Sequence, residues 1–534
     1  MLWIPVESQT WNAGMSSSER ISQRVFGPAG RPAMPALRQR VALASTPPLD
    51  GARLFQNFCF ATPALWALGA LTLSAAAMVI WLVAVRWPRG LGINAVVSSW
   101  LLIALVQAVT SLLHGLSVGN FFGELPNVVS LAVTGWVMGA LIIAAGSAHR
   151  VAEPRTVRAV ASLGLSMLVL AAVAGALRVA GISPPEFQMT PLGMLLPQSN
   201  FAHFYCSAIL FLPESTFGED TARLVLFFPW YTALGLGAVS VTFISALERD
   251  WKWRLVGMLG GVVATIFSWS RIAIFCLVAV GALLLFARLR PRIRVIAICL
   301  GVIVLCIAVM AGFDPVHEAG QAQSAVDTVR QGSNMARDMI YDQSWQGFLE
   351  SPWFGNGLNF PLVHGIPSAI GSHSTIYGLL YTAGVPGIVA FIVAIAVTLA
   401  ALLTRLMSLE RGSVDHDVVL IGIGLVLCLA LYCKFEAIYS LTIPCIVLFV
   451  WIGACLPSAQ TTSGNRPYGR DTPAASMDLT FRGAKLVPTE RVRVAGYGLA
   501  SVERLQAKDK LKRPLVKPSE RALNRMHFNQ NDIY

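Results

Sequence analysis

LVGMLGGVVATIFSWSRIAIFCLVAVGALLLF, residues 255–286, is the stretch on which the fold turns. A helix rises about 1.5 Å per residue, so the run from Leu255 to Phe286 would be about 48 Å long as one helix, against a hydrocarbon core of about 30 Å. Arg271 would then lie near its middle, where a charge costs several kcal/mol. Two short helices meeting at Ser268-Trp269-Ser270-Arg271 remove both difficulties. The flanks agree, because Arg249, Lys252 and Arg254 precede the run and Arg288, Arg290, Arg292 and Arg294 follow it. The positive-inside bias puts both ends in the cytoplasm and Arg271 outside.

The rest of the chain has the same character. Of its 534 residues 55% are hydrophobic and only 13% charged, with a mean hydropathy of +0.63, which excludes an ordinary soluble protein. The net charge of +12 gathers in the tails and in short loops, so it points to membrane topology and no nucleic-acid partner is expected. The cysteines fall almost all in or beside apolar runs without Cys-x-x-Cys or metal-ligand spacing, and no metal or other cofactor is expected.

Runs long enough to span lie at about 63–85, 93–113, 126–146, 158–180, 224–246, 294–311, 376–404, 417–434 and 438–456, beside the hairpin. The fold expected is an all-α polytopic membrane protein with about eleven transmembrane helices, or twelve if a further element lies around Pro191–Leu212, and one large outer loop containing short amphipathic helices. Residues 1–60 read as a disordered N-terminal tail, 61–311 as the first part of the membrane domain and 312–372 as the outer loop. Residues 373–456 form the second membrane part, and 457–534 a basic, mostly disordered cytoplasmic tail.

An outer loop of this length inside a membrane protein is expected to carry function. It places Arg330, Arg337, His364 and His373 between two apolar runs. Arg337, Tyr341, Ser344 and Phe348 recur at helical spacing, the mark of an amphipathic helix near the membrane, stopped by Pro352 and a glycine-rich turn. Arg223 opens the 224–246 run, and His373 opens the run that contains Tyr377. Each residue also has a plain reading: Arg223 as a snorkelling anchor, Arg337 as the partner of Asp338 or Asp342, His373 as an interfacial polar residue.

In order along residues 220–400, the motifs are Ser268-Trp269-Ser270-Arg271, Arg337 with Trp345, Pro352-Trp353-Phe354-Gly355-Asn356-Gly357, His373 with Tyr377, and Gly384-Val385-Pro386-Gly387. This series resembles the O-antigen ligase and polymerase superfamily of bacterial envelope glycan assembly. Ser374 stands where that family usually has Asn, and Thr382 near where an acid is common. The resemblance implies a multi-pass protein of the bacterial inner membrane with its loop in the periplasm. It implies a lipid-linked oligosaccharide, carried on undecaprenyl diphosphate, as donor substrate, with membrane lipids and polysaccharide export or chain-length proteins as partners.

For that chemistry Arg271 and Arg337, with His373, are the candidate catalytic residues, and Arg223, Arg330, Tyr377 and Trp345 the candidate substrate-binding ones. A guanidinium offers fixed bidentate donors to a leaving diphosphate, and a histidine can take the proton of an acceptor hydroxyl. The expected activity is metal-independent glycan polymerisation in capsular, exopolysaccharide or O-antigen assembly, because Gly371-Ser372-His373-Ser374-Thr375 departs from the His-Asn form familiar among ligases. The alternatives are transfer to lipid A core or protein by a ligase and, outside enzymes, a glycolipid flippase or transporter. A transporter accounts for the spans but rarely needs so long an outer loop.

Overall fold

The structure is a computed structural model and describes residues 51–86, 94–149, 151–182, 189–196, 205–212, 223–310, 331–358, 360–364, 366 and 368–456. Arg330 and the rest of 311–330, like residues 1–50 and 457–534, lie outside the described residues. The helices are α1 (Gly51–Ala67), α2 (Leu71–Arg86), α3 (Ala95–Ser117), α4 (Phe121–Asn127), a π-helical segment (Val128–Val137), α5 (Met138–His149), α6 (Pro154–Val179) and α7 (Pro191–Leu195). A two-residue antiparallel pair, β1 (Phe211–Leu212) and β2 (Arg223–Leu224), precedes α8 (Tyr231–Ser245), α9 (Trp251–Phe267), α10 (Arg271–Arg288) and α11 (Pro291–Met310). Then come α12 (Gln331–Glu350), α13 (Thr375–Ser408), α14 (Val414–Tyr432), α15 (Ile438–Leu441) and α16 (Ile446–Ala454).

Among the described residues six helical stretches are long and apolar enough to cross a membrane: Ala95–Ser117, Phe121–His149, Pro154–Val179, Arg271–Arg288, Thr375–Ser408 and Val414–Tyr432. Leu71–Val85 and Tyr231–Ser245 are shorter apolar helices. A mostly helical, multi-pass membrane protein is thus what the chain builds.

The 255–286 run is broken as expected. The Ser268 hydroxyl donates to the Thr265 carbonyl (2.7 Å) and accepts from the Ser270 N–H (3.2 Å), while Trp269 takes the left-handed conformation (φ 51°). These two bonds pair the Ser268 hydroxyl and the Ser270 N–H inside the turn, which lowers the cost of a bend beside the membrane. Below the turn α9 presses on α6, where Gly257 and Gly260 meet Gly164 so closely that a Cβ at Gly260 would strike the Gly164 carbonyl.

Three other expected spans differ in detail. The 63–85 run is no single helix: the chain turns at Leu68–Ala70, with Gly69 at φ 75°, and residues 51–60, assigned from the sequence to the tail, belong to α1. Buried Gln56 in α1 donates to the Thr156 hydroxyl of α6 (3.1 Å), and such polar residues hide the helix from a hydropathy reading. The 224–246 run becomes helical only at Tyr231, after the turn carrying Pro229, and the 438–456 run breaks into α15 and α16 around Pro444.

The contacts sort the bundle into two ends. At one end Arg158 holds Glu248 with two bonds (3.0 and 3.1 Å), Arg288 pairs with Asp417 (3.3 Å) and Arg405 donates to the Leu456 carbonyl (2.7 Å). At the other end lie the 268–271 turn, α12, the start of α13 and the 433–437 turn, which together form the candidate site.

Candidate functional site

The N-terminus of α13 is bolted to the 433–437 turn. Ser374 is its N-cap: the hydroxyl accepts from the Tyr377 N–H (3.3 Å) and donates to the Cys433 carbonyl (3.3 Å). The Thr375 N–H donates to Cys433 O (2.8 Å), and its hydroxyl donates to Glu436 O (2.7 Å) and accepts from Ile438 N–H (2.8 Å). Both side chains are fully buried. Serine and asparagine rank alike as caps, so the departure at Ser374 keeps the local geometry. His373, just before the cap, is held in the left-handed region (φ 57°), an uncommon state for a residue with a Cβ.

Helix α12 lies along α13 and presents Ala336, Ile340, Ser344 and Gly347 to the interior. At Gly347 a Cβ would meet the Tyr381 ring at 2.5 Å, so glycine there sets the closeness of the two helices. Ser344 accepts from the Gly371 N–H (2.8 Å), which ties down the loop before His373. The expected stripe of Arg337, Tyr341, Ser344 and Phe348 sits on or beside this packed face, while Asp338 and Asp342 are exposed.

Arg337, Tyr341, His373 and Tyr377 come together here, and Arg271 reaches α12 one turn before Arg337. Arg271 donates through Nη2 to Asn334 Oδ1 at 2.6 Å. Tyr341 stacks on Tyr377 with ring centres 4.5 Å apart, and its hydroxyl donates to the carbonyls of Lys434 (3.1 Å) and His373 (3.4 Å). The Arg337 charge reaches His373, Tyr341 and Glu436. Burial, with Arg337 adding to it, pushes the His373 imidazole down to about 4, so at neutral pH the ring is neutral. Burial raises the Tyr341 phenol to about 12.

Sequence reasoning missed Glu436. It is 5% exposed, and its carboxylate accepts from the side chains of Thr232 and Trp230 at the first turn of α8, where a helix dipole favours an anion. Burial raises its carboxyl above the ordinary range, opposed by Arg337 and by those two bonds. The signal available was Lys434-Phe435-Glu436, two charges in a short turn between two apolar runs.

Arg223 also converges on α8: it is 1% exposed, with its guanidinium carbon 4.2 Å from the Tyr231 ring centre. That burial is incompatible with a snorkelling side chain. Trp345 is not brought into the cluster; it stands on the exposed side of α12 against Phe348 (5.0 Å). His364 is exposed in the loop.

The two glycine-rich motifs form a backbone lock. In an unbroken helix Val385 N–H would bond Tyr381 O; here Val385 N–H goes to Pro352 O (2.8 Å), and Tyr381 O accepts from Asn356 N–H (2.7 Å). The 352–357 turn is thereby spliced into α13 at its kink, where Gly384 (φ 62°) and Gly355 (φ 65°) face backbone too near for any Cβ. Gly355→Ala or Gly384→Ala is expected to cost on the order of 1–3 kcal/mol or more. A thermal-unfolding scan in detergent should show a lower midpoint than for Gly412→Ala, which has open space around it.

An O-antigen ligase family model matches residues 256–392, from α9 to the middle of α13. The match supports placement in the O-antigen ligase and polymerase superfamily, and it includes Arg271, Arg337, His373 and Tyr377 but neither Arg223 nor Glu436. No curated protein matches the chain.

Proposed function

We propose, from that match and from Arg337 beside His373 and Glu436 with Arg271 bonded to Asn334 at the same end, that the protein is an integral-membrane polymerase transferring a glycan from undecaprenyl diphosphate to a sugar hydroxyl. The observation that carries the reading is Arg337 beside His373 and the buried Glu436, with Arg271 and Arg223 at the same end of the bundle. The acceptor oxygen attacks the anomeric carbon, the bond from that carbon to the diphosphate oxygen breaks, and undecaprenyl diphosphate leaves. Arg271 and Arg337, with Arg223 as a further cation, stabilise the charge that develops on the leaving diphosphate. His373 or Glu436 takes the hydroxyl proton.

The arginines take the charge-stabilising part a divalent ion plays elsewhere, so transfer is expected to persist in a chelator. Polymerase is favoured over ligase because Ser374 replaces the ligase asparagine. On a gel of surface glycan, a deletion strain should show single repeat units. Long chains left undelivered would mean a ligase.

The site end faces the periplasm in this reading. In it the chain makes twelve passes, formed by α1, α2, α3, the 121–149 helix, α6, α8, α9, α10, α11, α13, α14 and the α15–α16 stretch. Gly51 beside His149 then starts the first pass at the end where Leu456 finishes the last, so both tails, with their arginines, are cytoplasmic. Arg271→Lys, which keeps the charge and loses the fork, is expected to reduce chain growth strongly at unchanged membrane level. Normal glycan from that variant would reduce Arg271 to an anchor.

A further inference from the structure

The 352–357 turn lies far along α13. Its bonds are made at Tyr381 and Val385, and Gly384 is nine residues past Thr375, about 13 Å down the helix axis at about 1.5 Å per residue. A leaflet's hydrocarbon is about 15 Å thick, half the bilayer core. With α13, about 51 Å long, spanning a core of about 30 Å, the turn sits near the boundary of the acyl chains, below the level of His373.

Two further observations suit that place. Part of the turn's backbone is paired from within: Pro352 has no N–H, its carbonyl takes Val385 N–H, Gly355 N–H bonds Ser351 O (2.9 Å) and Asn356 N–H bonds Tyr381 O. Each such pairing lowers the cost of irregular backbone in a bilayer. The side chains that point away from the protein are large and apolar: Trp353 is 65% exposed, Phe354 57% and Leu349 53%. They continue the exposed apolar surface of α13 at Val389 and Ile392, the side of a spanning helix that meets lipid.

We infer that Leu349–Phe354 forms a re-entrant wedge whose occupant is the acyl-chain region of the leaflet on the site side. The outer loop is then only partly aqueous. Helix α12 runs from Arg337 at the site to a tip seated in lipid, which fixes the depth of the site relative to the bilayer.

The test places the photoreactive residue p-benzoylphenylalanine at Trp353 or Phe354 in the full chain, in nanodiscs of phosphatidylethanolamine and phosphatidylglycerol. Ile392 is the lipid-facing control and exposed Asp342 the aqueous one. After irradiation, mass spectrometry should find lipid adducts at 353 and 354 at the yield seen for 392 and well above 342. A yield at both positions no higher than at 342 would overturn the wedge, whether the cause were water or protein cover. If one variant fails to accumulate, the other decides.

Discussion

Arg337→Ala is expected to lower glycan transfer by about 10² to 10³-fold, the usual loss on removing one preorganised group that stabilises transition-state charge. It should also move the pH profile. Arg337 holds the Glu436 carboxyl and the His373 imidazole down, so its removal lets both titrate at higher pH and shifts the acid limb upward. Arg337→Lys restores the charge without the fork, so the acid limb should return while much of the rate does not. Initial rates across pH 5–8 at matched protein level would check this. A profile unchanged in Arg337→Ala would mean that the guanidinium acts on neither group.

His373→Ala and Glu436→Gln separate the two candidate bases. A positioned base contributes roughly 10² to 10⁴-fold, and the variant lacking it should lose that much. With its imidazole held at about 4, His373 stays neutral through the range pH 5–8 and contributes no acid limb there. Glu436, its carboxyl raised by burial, is the candidate base left to set an acid limb. An acid limb that vanishes in Glu436→Gln and persists in His373→Ala would assign the proton to the carboxylate. Equal, modest losses in both would leave catalysis to the arginines. Stability carries its own signature. Between the folded value of about 4 and the model-peptide value of 6.5 the unfolded chain binds a proton at His373 that the folded chain does not, so stability falls as pH is lowered through that window.

The break at Ser268–Arg271 was legible because length and charge conflict within one apolar run, and α12 was legible from its spacing and its proline stop. The approach of Arg271 to α12 and of Arg337 to His373 was suggested only by family resemblance; no spacing rule brings residues this far apart in sequence together. Glu436 escaped notice because its importance lies in burial against Trp230 and Thr232, a contact between distant parts of the chain. Helix α1 escaped because Gln56 and Thr62, satisfied inside the bundle, look like surface residues in a hydropathy reading. The motif glycines were recognised as motif, but their reason is the splice of the 352–357 turn into α13, which depends on a kink the sequence only hints at through Gly384 and Pro386.

The central claim, transfer of a glycan from a lipid diphosphate at the Arg271–Arg337–His373 end of the bundle, meets its most direct test in reconstitution. Purified protein in nanodiscs would receive an undecaprenyl-diphosphate-linked repeat unit in the presence of a chelator, with released undecaprenyl diphosphate and glycan length read by mass spectrometry. Lengthened glycan and matching release of the carrier, both lost in Arg337→Ala, are the expected result. Intact donor with no carrier release, from protein that instead moves the same glycolipid across the wall of a sealed vesicle, would contradict it and make the chain a transporter.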